Sequence, residues 1–136
     1  MSKNQEKNSE IEKWLRFREN EDFKVDDAKK PYLVNGKKTN LKIVQAKRRD
    51  GAFLSSISPK QLKEIEVFVW LIQKAENYYA FPQEKMKEYA TTSWFSLKYD
   101  RFYFLLDNIN HEYIAYTRYN IRDYYQNSLT SHSPFL

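Results

Sequence analysis

The sequence predicts a mixed α/β (α+β) domain, with a central mixed β-sheet flanked by helices. Three observations lead there. Asn35-Gly36 separates two short β-rich runs, and both residues tolerate positive φ, so the pair marks a two-residue hairpin. Ser58-Pro59-Lys60-Gln61 has the form of a helix start, with a capping serine, proline at the first helical position and glutamine at the capping-box position. Val67 to Ile72 is continuously apolar and β-rich, the pattern of a strand covered on both faces. Strands interleaved with short helices in this order give a sheet with helices against its faces.

The elements follow in order. Residues 1–8 are polar and expected to be disordered. Ser9 reads as an N-cap completed by Glu12, and Ile11, Trp14 and Leu15 form an apolar stripe, so a helix is expected over about residues 10–20. Phe23 and Val25 alternate, as do Tyr32 and Val34 beyond Pro31, which argues for an edge, a bulge or a break. After the Asn35-Gly36 turn, Leu41 to Arg49 reads as a strand that begins apolar and ends basic, stopped by Asp50-Gly51. Ala52 to Ile57 is a short strand or an extended loop. The helix opened by Ser58 is short and ends near Ile65. Tyr78 to Phe81 returns beside the buried strand, and Pro82 opens a helix whose inner face is Met86, Tyr89 and Ala90. From Thr91 onward Trp94-Phe95, Phe102 to Leu106 and Tyr113 to Tyr116 are each a strand or a packed loop. Asn120 is expected to cap a last helix carrying Ile121, Tyr124, Tyr125 and Leu129.

The chain of 136 residues is read as one domain, 1–136, with residues 91–136 as a C-terminal extension. Its aromatic content is high, with eleven Tyr, nine Phe and three Trp, which favours a packed core over disorder. The net charge of +5 suits a nucleic-acid partner without requiring one. The absence of Cys excludes disulfides and thiolate metal sites and suits a reducing cytoplasm. Having only His111 and His132 argues against a multi-histidine zinc centre. The first ten residues have no signal-peptide apolar run, and no stretch is long and apolar enough to span a membrane, so a soluble cytoplasmic protein is expected.

Chemistry concentrates around residues 41–49. Alternation sets Gln45, Lys47 and Arg49 on one face of the strand, and Lys42 and Arg48 on the other. If the chain folds back at Asn35-Gly36, the carboxylate of Asp26 or Asp27 comes beside Gln45 and Lys47. That makes a site for one divalent metal and an activated water. The plainer reading makes Gln45 and Lys47 the polar end of an ordinary strand, and the aspartates turn residues. Lys47-Arg48-Arg49, with Lys37, Lys38, Lys42 and Lys60, is a track for a phosphate backbone or a solvated hairpin face. The tyrosine-rich tail offers rings for base stacking, or else core and interface residues.

Gln45-Ala46-Lys47 on its strand, the upstream aspartates and the helix and apolar strand that follow resemble the PD-(D/E)XK nuclease superfamily. The tripeptide is similar to the QxK form of Mrr-like restriction nucleases, and Asp27 stands eighteen residues before Gln45. The resemblance covers roughly residues 9–73. No Pro precedes either aspartate, and Gln45 stands where an acidic residue is usual. The resemblance implies an αβββαβ restriction-endonuclease-like core and Mg²⁺-dependent hydrolysis of DNA. Catalytic roles fall on Asp27, Gln45 and Lys47, and metal ligation on Asp27 or Asp26 with Gln45 and Glu12. Mg²⁺ takes oxygen ligands, and Lys47 would orient water and stabilise charge on the phosphorane-like transition state. Arg48, Arg49, Lys42 and Lys60 would contact double-stranded DNA. One active site per chain cuts one strand, so a homodimer or larger homo-oligomer is expected. The alternatives are a non-catalytic nucleic-acid- or protein-binding domain on the same fold, and an unrelated α+β interaction domain.

Overall fold

The computed structural model describes residues 25–27, 32–44, 52–72, 78–107, 110–114 and 118–126. Residues 1–8, the expected helix over residues 10–20 with Glu12, and the stretch from Gln45 to Arg49 lie outside them. The described elements are β1 (Val25–Asp27), β2 (Tyr32–Val34), β3 (Lys37–Val44), β4 (Ala52–Ile57), α1 (Pro59–Glu64), β5 (Val67–Ile72), β6 (Tyr78–Pro82) and α2 (Gln83–Ala90). Then come β7 (Trp94–Ser96), β8 (Arg101–Asp107), β9 (Glu112–Ile114), β10 (Arg118–Asn120), a 3-10 turn (Arg122–Tyr124) and β11 (Tyr125–Gln126). The fold is α+β.

The strands form two sheets. The large sheet has six strands in the order β1-β2-β3-β5-β6-β11, and the small one runs β10-β9-β8-β4, with β7 also on β8. In the large sheet only β3 and β5 are parallel, in register from Thr39 with Val67 to Val44 with Ile72, so the sheet is mixed as expected.

Local chemistry fixes the connections. Val34 pairs with Lys37 across Asn35 (φ 51) and Gly36 (φ 77), a two-residue turn with both residues at positive φ. Ser58 and Gln61 make the reciprocal capping box of α1: the Ser58 hydroxyl accepts from the Gln61 N–H and the Gln61 amide oxygen from the Ser58 N–H, each at 3.1 Å. The Gln83 side chain, first in α2, then donates to the carbonyls of Leu62 (3.2 Å) and Lys63 (2.8 Å), satisfying acceptors that the end of α1 leaves open. Glu66 ties the parallel pair together at its start. Its N–H donates to the Lys38 carbonyl (2.9 Å), and its carboxylate accepts from the Lys38 N–H (2.8 Å).

Strand β5 is apolar throughout because both of its faces are buried. Phe68 and Trp70 point to one cluster, and Val67, Val69 and Leu71 to another with Val34, Leu41 and Ile43. The first cluster is the main core, between the sheets. Phe53 and Ile57 of β4, Phe104 and Leu106 of β8 and Tyr113 of β9 meet Trp70, Tyr79 and Phe81, and α2 adds Met86, Tyr89 and Ala90. Trp70 spans the gap, its ring centroid 5.3 Å from that of Phe81 in its own sheet and 5.7 Å from that of Phe104 across it.

Two parts differ from the sequence expectation. Strand β4 leaves the large sheet and pairs with β8 along its whole length, because Phe53, Ser55 and Ile57 alternate inward against the large sheet. The expected last helix is instead β10, one 3-10 turn and β11 among the described residues. The N-cap of that single turn is Ile121, without a side-chain cap, and Asn120 stands one residue earlier, its side-chain oxygen accepting from the Arg122 N–H at 2.9 Å. Pairing of Tyr125 with Tyr79 in β6 stops the helical spacing from continuing.

Trp70→Ala is expected to lower the unfolding free energy by about 3–5 kcal/mol, through lost transfer energy and a cavity between the sheets. Urea titration measures it, and a loss under about 1 kcal/mol would refute the bridging role. Gly36→Ala meets no atom within 4 Å, so only the positive φ opposes it. It should cost about 1–2 kcal/mol in the same titration.

Candidate functional site

The large sheet positions the aspartates. Asp27 pairs with Leu33, which pairs with Lys38, so β1 lies one strand removed from β3 and level with its beginning. Val44, the last described residue of β3, is six residues beyond Lys38, about 20 Å at the rise of a strand. Had β2 continued backward in its register with β3 (Tyr32 with Thr39), Asp27 would have met Val44. Instead the chain reverses between Asp27 and Tyr32, and β1 pairs antiparallel to β2 with a register shift between Val25 and Asp27. Asp26 and Asp27 are therefore not brought to the end of β3. Gln45, Lys47, Arg48, Arg49 and Glu12 lie outside the described residues. No group of three or more His, Asp or Glu that could hold a metal ion occurs among the described residues, which do not by themselves form a Mg²⁺ site.

The two described basic candidates serve different neighbours. Lys42, on the β3 face turned toward β4, donates from Nζ to the Ser56 carbonyl at 2.7 Å. That carbonyl also accepts from Arg101 Nη2 at 3.0 Å, while Arg101 Nε donates to the Ser56 hydroxyl at 2.7 Å. Two cations from two sheets thus share one backbone oxygen. Lys60 is exposed on α1 and borders an open cleft of about 400 Å³ with Tyr32, Thr39, Asn40, Gln61 and Glu64. Much of that polar lining is already engaged, Gln61 in the capping box and the Thr39 hydroxyl with the Lys37 carbonyl.

A polar contact between the two sheets had no sequence signal. His111, at φ 54 in the turn between β8 and β9, brings Nδ1 within 2.8 Å of the Tyr79 hydroxyl. The two residues are 32 positions apart, and no local pattern links them. The imidazole also lies against the Tyr125 ring, centroids 4.5 Å apart. Burial and then the Arg122 guanidinium hold the imidazole below its usual 6.5, opposed by Asp107. Burial, with Tyr125 and Asp107, pushes the Tyr79 phenol well above its usual range. Both partners are therefore neutral at pH 7, and the bond joins β6 of the large sheet to a turn of the small one. It is a structural tie with a titratable member.

No protein-family model, curated protein or solved structure matches the chain. No helix among the described residues is long and apolar enough to cross a membrane.

His111 gives a pH prediction. Its folded-state value lies below the unfolded one, so the unfolded chain takes up the proton more readily. The tie therefore contributes above the unfolded value and is lost as pH falls through the folded one. NMR titration of the His111 ring should give a midpoint below 6.5, and Arg122→Gln should raise it. A midpoint that Arg122→Gln leaves in place would remove the guanidinium from this account.

Proposed function

We propose that this chain is a metal-dependent endonuclease acting on double-stranded DNA, with β3 leading into its catalytic strand. The supporting observation is the setting of β3. Hairpin-linked β2 lies on one side and parallel β5 on the other, and a capped helix precedes β5. That order follows the strand–strand–strand–helix–strand core implied by the PD-(D/E)XK resemblance, with β4 added between β3 and α1. In the sequence β3 runs directly into Gln45-Ala46-Lys47 and then Arg48-Arg49. In this reading Gln45 and Lys47 carry the reaction with Mg²⁺, Lys47 stabilising charge on the phosphorane-like transition state, and Asp27 or Asp26 would have to reach the end of β3 from its place level with Lys38. Lys42, Lys60, Arg48 and Arg49 contact the DNA backbone. Duplex cleavage takes a homodimer or larger assembly, and the absence of Cys is in keeping with a cytoplasmic protein.

The position of β1 favours a second reading. Because Asp26 and Asp27 lie near Lys38 and not near Val44, the domain would bind nucleic acid without cutting it.

Nicking of supercoiled plasmid, with and without Mg²⁺, separates the two. The endonuclease reading expects Mg²⁺-dependent nicking that falls at least about 10²-fold in Lys47→Ala, the usual loss for one transition-state donor. DNA binding, measured by fluorescence anisotropy, should be retained by that variant. Nicking that persists unchanged in Lys47→Ala would assign the activity elsewhere and sink the proposal. DNA binding without nicking would establish the second reading.

A further inference from the structure

Strand β11 (Tyr125–Gln126) is two residues long and pairs Tyr125 with Tyr79 and Gln126 with Tyr78 of β6. A pairing that short is held by its side chains more than by its ladder. The residues before it are anchored separately. Ile121 is fully buried in the main core, and its N–H donates to the His111 carbonyl at 2.8 Å. Tyr124 lies against Phe81, ring centroids 5.5 Å apart. Beyond them Tyr125 is only half-buried. Its ring centroid is 4.8 Å from that of Tyr79 and 4.5 Å from the imidazole of His111. Tyr79 and His111 complete a triangle of rings, 6.0 Å apart and joined by the 2.8 Å bond between hydroxyl and Nδ1.

One corner of this triangle titrates near neutral pH. Among the described residues, four titratable or charged groups face the imidazole. Tyr79 from β6 and Tyr125 from β11 are phenols, the Arg122 guanidinium comes from the 3-10 turn, and the Asp107 carboxylate from the end of β8. Both oxygens of that carboxylate already accept from Asn110, from its N–H at 3.1 Å and its side-chain amide at 2.7 Å. Burial and the guanidinium oppose a charge on the imidazole, and together they outweigh Asp107. An imidazolium also has no acceptor nitrogen, so the bond to Tyr79 survives only if the phenol oxygen turns to accept. Protonation therefore weakens the triangle at the corner that holds Tyr125. The burial of Ile121 and its bond to the His111 backbone carbonyl do not depend on the imidazole.

We propose that β11 is an acid-released latch: protonation of His111 frees Tyr125–Gln126 from β6, about a hinge at Ile121, while the two sheets stay packed. Release leaves Tyr78 and Tyr79 as an unpaired sheet edge, the form in which a sheet accepts another strand. The device is independent of the nucleic-acid reading above. The latch closes over the neutral ring, so it is strongest above the ordinary histidine value of 6.5 and weakens as the pH falls through the lower value of the closed form. Opening grows about tenfold for each pH unit that separates the two values.

The test is amide hydrogen exchange on the full chain between about pH 7.5 and about pH 5, a window that holds the histidine titration and leaves ordinary carboxylates ionised. Protection factors are compared, so the intrinsic pH dependence of exchange cancels. The latch expects the amides of Tyr125 and Gln126 to lose protection in acid, by the ratio that the measured His111 midpoint sets, while Ile121 and β5 keep theirs. Arg122→Gln, at an exposed position, should shrink that loss, because the closed form then resists the proton less. His111→Asn suits the positive φ but is too short to reach the Tyr79 hydroxyl. It should leave the same two amides weakly protected at both ends of the window. Unchanged protection of Tyr125 and Gln126 in the wild type overturns the proposal. So does a pH-dependent loss that persists in His111→Asn, which would place the titrating group elsewhere. A loss shared equally by Ile121 and β5 would be acid unfolding of the whole domain and overturns it too. If His111→Asn does not fold, Arg122→Gln decides: an acid loss as large as the wild type's defeats the latch.

Discussion

The contact between Trp70 and Phe104 is what holds the two sheets in one molecule. Each belongs to a different sheet, both are fully buried, and their rings are 5.7 Å apart. Around them Phe81, Phe53, Leu106 and Tyr113 close the space, so the inner faces interdigitate as in other sheet-on-sheet packings. β5 also presents Val67, Val69 and Leu71 to the opposite cluster, so, like β6 beside it with Tyr78 and Ala80 on one side and Tyr79 and Phe81 on the other, it contacts both apolar clusters on successive residues. This demand explains its unbroken apolar sequence better than propensity does. It also fixes the position of β3, which follows β5 residue by residue from Thr39 to Val44.

Local signals in the sequence were reliable where a few adjacent residues decide the outcome. Asn35-Gly36, the Ser58/Gln61 box and the apolar run of β5 each settle their own element, and each is found as read. Met86, Tyr89 and Ala90 also form the inner face of α2 as their spacing requires. What the sequence could not reveal was partnership. Ala52–Ile57 alternates correctly for a strand, but nothing within it chooses β8 over β3. Ile121, Tyr124 and Tyr125 have helical spacing, yet one hydrogen-bonded turn is all that pairing with β6 allows.

The aspartates illustrate the same limit at the candidate site. A two-residue hairpin fixes the register of β2 on β3, and that register extended backward would carry Asp27 to Val44. Whether the preceding residues extend β2 or turn away from it is not decided by that hairpin register. Here the chain turns, and a shift of one strand in the sheet moves the position of Asp27 along β3 by some 20 Å. His111 was legible only as a count of histidines. Its meeting with Tyr79 depends on the two sheets closing at that end.

The departure of β4 from the large sheet has a consequence for how the chain comes together during synthesis. Ala52 waits for Asp107, and Ile57 for Phe102, so β4 leaves the ribosome about fifty residues before its partner does. Phe53 and Ile57 spend that interval without the strand that covers them in the native state, and long-range pairing of this kind is slow. The β4–β8 pair therefore locks only after Asp107 has been made.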